Sequence, residues 1–174
     1  KAIKIVAYEP AFGIIGDPAK RDPRTRQSAD HSMVYIVSTL LRKAMEAARS
    51  GALKPGMDND SVWKLLFLAP ADYSDEAIVN KDTRALMEKI GFEHGGKEYD
   101  DRYPDGIPTS VVITTASGAT LDSGLVMYPA GHARNTTADL KGILANKFEQ
   151  LGKLVVADPA PLVQRLNAVE SMDA

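Results

Sequence analysis

The stretch Pro108-Thr-Ser-Val-Val-Ile-Thr-Thr-Ala116, then Ser117-Gly118, then Thr120-Leu-Asp-Ser-Gly-Leu-Val-Met-Tyr128 decides the fold class. Its first half is rich in β-branched residues, which suit a pleated, half-buried surface. Ser117-Gly118 supplies a turn and the run to Tyr128 returns as a second strand, so the whole reads as a β-hairpin. A second β signal stands at the start of the chain, where Ile3, Ile5 and Ala7 alternate with Lys4 and Val6 and make residues 2–8 a strand. The region from Phe92 to Tyr99 could add an edge strand. The order strand, long helix, short helices, hairpin, helices lacks the regular βαβ alternation of a parallel sheet. The expected class is α+β: a small sheet with a hairpin, packed by helices.

Between the strands, residues 9–26 carry Pro10, Gly13, Gly16, Pro18 and Pro23, a density that forbids a long helix and marks an ordered loop. From Ser28 a helix is expected to about Arg49, capped by Ser28 or Asp30 and ended by Ser50-Gly51. Met33, Val34, Val37, Leu40, Leu41, Ala44 and Met45 give it one apolar stripe. A short helix is expected from Ser61 to Leu68 and two more within residues 72–90, started by Asp72 or Ser74 and by Lys81. Two helices close the chain, from Thr136/Thr137 to about Leu151 and from Asp158-Pro159, where Asp caps and Pro fits the first turn.

Bulk composition bounds the function. The 174 residues suit one ordinary domain with a real core. A net charge of −2 gives no global field toward nucleic acid or an anionic membrane, and neither is expected as a partner. The absence of cysteine excludes a disulfide framework, a thiolate metal site and cysteine nucleophile chemistry. No apolar run approaches the roughly 20 residues of a membrane span. The opening Lys-Ala-Ile-Lys-Ile-Val runs straight into a strand pattern and reads as a chain cut from something longer.

Few residues could carry chemistry. The histidines, His31, His94 and His132, lie far apart and form no His-x-x-x-His pair, so no metal site is expected. His31 and Tyr35 stand four apart, one helical turn on one face. They could do acid–base work or bind a carboxylate; a helix-start histidine beside a tyrosine at the core edge is the reading that spacing alone favours. Gly13-Ile-Ile-Gly16 is a turn rather than a phosphate-binding fingerprint. Asp100-Asp101 and Asp105 flank a Pro-Asp-Gly turn and read as solvated loop charge. Gly131-His132-Ala133-Arg134-Asn135 precedes a helix and is either an anion site at its N-terminus or a connecting loop with a capping residue.

Several segments, taken in order, resemble the MmgE/PrpD family. Asp30-His31-Ser-Met-Val-Tyr35-Ile-Val37 is similar to its Asp-His-x-x-x-Tyr-x-Val stretch, and the preceding Gly16-Asp-Pro-Ala-Lys-Arg-Asp-Pro-Arg-Thr-Arg26 to its loop rich in Pro, Asp and Arg. Tyr103-Pro-Asp-Gly-Ile-Pro-Thr-Ser110 with Val111 to Thr115 resembles the Tyr-Pro element that precedes a strand. Gly118 to Val126 resembles the following hairpin, Tyr128-Pro-Ala-Gly-His132 a Pro-x-Gly-His turn, and Lys147-Phe148 a pair on the returning helix. The likeness runs from about residue 2 to the end.

The resemblance implies more than the residues do alone. It implies an α+β lid domain over residues 1–135 and C-terminal helices over 136–174 that return to a large helical domain not contained in this chain. It implies a cytoplasmic enzyme (in the mitochondrial matrix if eukaryotic) without cofactor or metal, homodimeric through that helical domain, acting on a small polycarboxylate. A 2-methylcitrate dehydratase of propionate catabolism is the expected activity. Cis-aconitate decarboxylation, iminodisuccinate epimerisation or a non-catalytic binding or assembly role are the alternatives. Tyr35 carries over as the lid's catalytic residue, with His31 beside it. Arg24, Arg26 and His132 are the candidates for holding substrate carboxylates.

Overall fold

β1 (Ala2–Ala7) sits inside the sheet, parallel to β2 (Ile90–His94) on one side and antiparallel to β3 (Thr109–Thr114) on the other, with β4 (Thr120–Asp122) beyond β3. The computed structural model describes residues 1–171. The register sets Ile90, Ile3 and Ile113 in one row and Phe92, Ile5 and Val111 in the next, so one face of the sheet is apolar. The other face carries an ion pair between Lys4 and Glu93 at 3.0 Å. The sheet is mixed, and the α+β class holds. The edge strand is present but starts at Ile90, and its parallel partner is reached through the whole helical connection between β1 and β2.

That connection corrects one expectation. The single helix from Ser28 to Arg49 is two: α1 (Arg26–Asp30) and α2 (Met33–Arg49). Ser32 makes the break. Its backbone is extended (φ −107°, ψ 103°), and its hydroxyl donates to the Lys20 carbonyl at 2.6 Å while accepting from the Tyr35 N–H at 3.3 Å. A serine whose hydroxyl competes with the helix for backbone partners favours a cap over a helix interior. Ser28, expected as a cap, instead completes a capping box with Thr25 inside α1.

Short helices follow much as expected: α3 (Asn59–Leu66) capped by Asp58, α4 (Asp75–Ile78) by Ser74 and α5 (Lys81–Met87) by Asn80. A 3-10 turn, Pro70–Tyr73, precedes α4, and α6 (Lys97–Asp100) follows β2. Ile3, Ile5, Val34, Tyr35, Ile78 and Met87 form the core between the apolar sheet face and the helices.

The hairpin is interrupted. Beyond Asp122 the Ser123 hydroxyl takes the Val111 N–H at 2.9 Å, and pairing resumes only at Thr109 and Val126. Next to it, a Cβ placed on Gly106 would lie 2.8 Å from the Met127 carbonyl, the group that accepts the Ile107 N–H at 3.0 Å. Gly106→Ala should therefore push the two segments apart. The expected cost is about 1–3 kcal/mol by overpacking, read as a lowered midpoint in thermal unfolding; an unchanged midpoint would show that the carbonyl moves freely.

The chain divides into two compact units between Pro129 and Ala130. In the second unit the first helix starts later than Thr136, because the Asn135 side chain takes the Thr137 and Ala138 N–H groups at 2.9 Å each. α7 (Leu140–Gly152) begins instead at Asp139, whose carboxylate accepts the Gly142 N–H at 3.0 Å. α8 (Ala160–Asn167) follows Asp158, which accepts the Ala160 N–H at 3.0 Å. A groove of about 570 Å³ between α7 and α8 is lined by Leu144, Phe148 and Leu166, all exposed. No helix among the described residues is long and apolar enough to cross a membrane.

Candidate functional site

The break at Ser32 separates the two residues that spacing had placed on one face. Tyr35 lies on α2 with none of its surface exposed, and its hydroxyl donates to the Asp72 carbonyl. His31 terminates α1 and is exposed. A group so enclosed has no surface for a substrate in this arrangement, so Tyr35 is a core residue here and His31 stands apart from it.

The His31 ring is held by a single hydrogen bond to its own helix. Its Nδ1 lies 3.0 Å from the Gln27 carbonyl. A carbonyl oxygen only accepts, so Nδ1 carries the hydrogen, and in the neutral ring Nε2 is left as a bare acceptor. The ring is oriented by its own helix and its reactive nitrogen is turned away from that bond.

Charge around it is unevenly used. Arg24 donates to Asp22 through Nε at 3.0 Å and Nη2 at 2.8 Å, and Arg84 pairs with the other oxygen of the same carboxylate. Arg84 also donates to the Pro23 carbonyl at 3.2 Å, which ties the loop to α5. One carboxylate cannot neutralise two guanidinium groups, so the loop keeps a positive excess. Arg26, the first residue of α1, is exposed and has no ion-pair partner among the described residues. Of the two candidates for a substrate carboxylate, Arg26 is free and Arg24 is engaged.

Tyr73 ends the turn Pro70–Tyr73, which packs against α1. It is half-buried, with its ring centroid 5.9 Å from that of Tyr35. Burial, followed by the nearby charges of Asp30, Tyr35 and Asp72, pushes its phenol above the ordinary range, so it stays a hydrogen-bond donor at neutral pH. Tyr35 is raised too, by burial first. For both, the raised folded-state value means that their contribution to stability is complete below about pH 10, the unfolded phenol value, and is lost as pH rises through the folded one. Hydrophobic periodicity does not single out Tyr73. Its only signal is its place beside Asp72, between Pro70 and the helix start at Ser74.

The remaining histidines are each held by local partners. His94 Nε2 is 2.9 Å from Asp100, whose other oxygen accepts the Glu9 N–H at 2.8 Å, so the pair ties the end of β2 to the loop after β1. Asp101 pairs with Lys97 at 2.7 Å. His132 belongs to the second unit, where its Nδ1 accepts the Arg134 N–H at 3.1 Å in a local turn. The described residues hold no group of three or more His, Cys, Asp or Glu side chains arranged for a metal ion.

Residues 67–169 match the family model described as the MmgE/PrpD C-terminal domain. The chain belongs to the MmgE/PrpD family. The matched segment includes the hairpin, the Tyr128 to His132 turn and α7, and it also contains Asp72 and Tyr73; α1 and the whole of α2 lie before it. MmgE/PrpD proteins are generally lyases and dehydratases. No curated protein matches the chain at a significant level.

Proposed function

We propose that this chain is the C-terminal, substrate-covering part of a hydro-lyase that removes water from a small tricarboxylate of the 2-methylcitrate kind. The family match carries the reading, and the exposed, tautomer-fixed His31 gives it a site. Dehydration breaks a C–H and a C–O bond and forms a C=C bond. It needs a base for the carbon-bound proton, an acid for the departing hydroxyl and donors for the carboxylate charge. His31 Nε2 is the acceptor on this surface. Tyr73 is a neutral O–H donor on the turn that packs against α1, and Arg26, which has no ion-pair partner among the described residues, is the cation for a carboxylate. Tyr35 acts at one remove, by packing under Tyr73. The exposed apolar groove of α7 and α8 suits cover by a helical domain, through which the enzyme would also dimerise.

The test is turnover of 2-methylcitrate by the full-length enzyme, followed by the absorbance of the new C=C bond. Tyr73→Phe removes one hydrogen bond from the reacting assembly and should lower kcat about tenfold, the equivalent of about 1.4 kcal/mol. Turnover of a different polycarboxylate, with none of 2-methylcitrate, would move the chain to another reaction of the family.

A further inference from the structure

A charged seam runs under the turn that carries Tyr73. Asp72 is nearly enclosed, its side chain 13% exposed, and it is used on every side. Its Oδ2 accepts from Lys43 Nζ at 2.6 Å and from the Ala69 N–H at 2.8 Å, and its Oδ1 is 3.8 Å from Arg42. Its carbonyl takes the Tyr35 hydroxyl. Lys43 also donates to the Phe67 carbonyl at 2.8 Å, so a single ammonium group on α2 binds both the entry to the turn and its one carboxylate. Arg42, one residue earlier, is occupied by Glu46 at 2.8 Å and by the Thr83 hydroxyl at 3.0 Å, which leaves Lys43 as the close cation on Asp72.

Turns of this kind are held by few bonds. Pro70–Tyr73 is a four-residue 3-10 turn flanked by extended residues at Ala69 and Ser74, and short 3-10 pieces have poor internal hydrogen bonding. Its position is set from outside: α1 and α4 pack against it, and α2 holds it through the Lys43 and Tyr35 bonds to Asp72. Moving it by about 1 Å would move the Tyr73 hydroxyl by as much, a displacement large enough to matter in a reacting site.

We propose that Lys43, acting through Asp72, is a positioning residue for Tyr73, tying the turn Pro70–Tyr73 to α2 and so fixing the place of the Tyr73 hydroxyl. The inference rests on Tyr73 belonging to the site, and its test separates the two. Lys43 touches no substrate. It locks a turn to a helix, and its absence leaves the Asp72 carboxylate without its nearest cation.

The experiment uses the chain with fluorotyrosine at all six tyrosines, read by fluorine NMR and assigned by Tyr73→Phe and Tyr35→Phe. In Lys43→Met the Tyr73 signal should move toward the free amino-acid position or split, with Lys43→Arg restoring it. The signals of Tyr8, Tyr99, Tyr103 and Tyr128 should stay, as proof of fold. Lys43→Gln, which keeps a donor and drops the charge, serves if the methionine variant does not fold. In the full-length enzyme the same variants should lower kcat on the order of tenfold with KM within about twofold, as expected for a group that acts only on the reacting geometry. A Tyr73 signal unmoved in a folded Lys43→Met or Lys43→Gln chain overturns the proposal. A signal that moves while Tyr73→Phe keeps full turnover upholds the positioning and removes Tyr73 from the reaction instead.

Discussion

Tyr35→Ala is expected to lower the unfolding free energy of the first unit by about 3–5 kcal/mol, as for a large aromatic deleted from a core. Tyr35→Phe is expected to cost only about 1–2 kcal/mol, the value of one buried hydrogen bond whose acceptor is left behind. The difference follows from where the ring sits. Tyr35 is fully buried in the cluster with Ile3, Ile5, Val34, Ile78 and Met87, and its hydroxyl reaches the Asp72 carbonyl. Alanine leaves a cavity under the turn that carries Tyr73. Phenylalanine fills the space and frees only the carbonyl. In thermal unfolding the alanine change corresponds to a fall of roughly 10–20 °C for a unit of this size. A Tyr35→Phe enzyme that keeps its melting midpoint but loses turnover would point to direct contact with substrate, which the enclosed position argues against.

The hairpin, the first strand, the long apolar stripe of α2 and the short capped helices are all legible in the sequence. Each rests on a local rule that tertiary contacts do not override: β-branched runs either side of Ser117-Gly118, alternation over residues 2–8, Ser74 before α4. The parallel pairing of β1 with β2 is not legible. It depends on which edge of β1 remains open after β3 has paired, and residues 8–89 carry no sign of that. The break at Ser32 is missed for a similar reason. Met33, Val34, Val37 and Leu41 continue a helical stripe, and only the distant Lys20 carbonyl turns Ser32 into a cap.

The candidate site was harder to see for the same physical cause. Spacing of four residues places His31 and Tyr35 on one face only while the helix is continuous. Once Ser32 interrupts it, His31 ends one helix and Tyr35 points into the core from the next. Asp72 and Tyr73 lie far from both in sequence, while Lys43 stands two turns along α2 from Tyr35. They come together through a turn whose residues, Pro70-Ala-Asp-Tyr73, look like any helix start.

His31→Gln in the full-length enzyme is expected to lower kcat with 2-methylcitrate on the order of 10²-fold or more, the range lost with a general acid or base. The same change should leave stability within about 0.5 kcal/mol, because the side chain is exposed and its one bond is to a carbonyl near a helix end. The glutamine amide can still donate toward the Gln27 carbonyl, but it offers no nitrogen lone pair where Nε2 stands. Loss of the basic nitrogen is thereby separated from loss of the side chain's volume. Arg26→Gln supplies the contrast. It removes a free cation whose expected work is to hold a carboxylate in substrate and transition state alike, so it should raise KM and change kcat little. If His31→Gln instead raises KM with kcat preserved, His31 is a binding group like Arg26 and the proton must go to a base outside this chain.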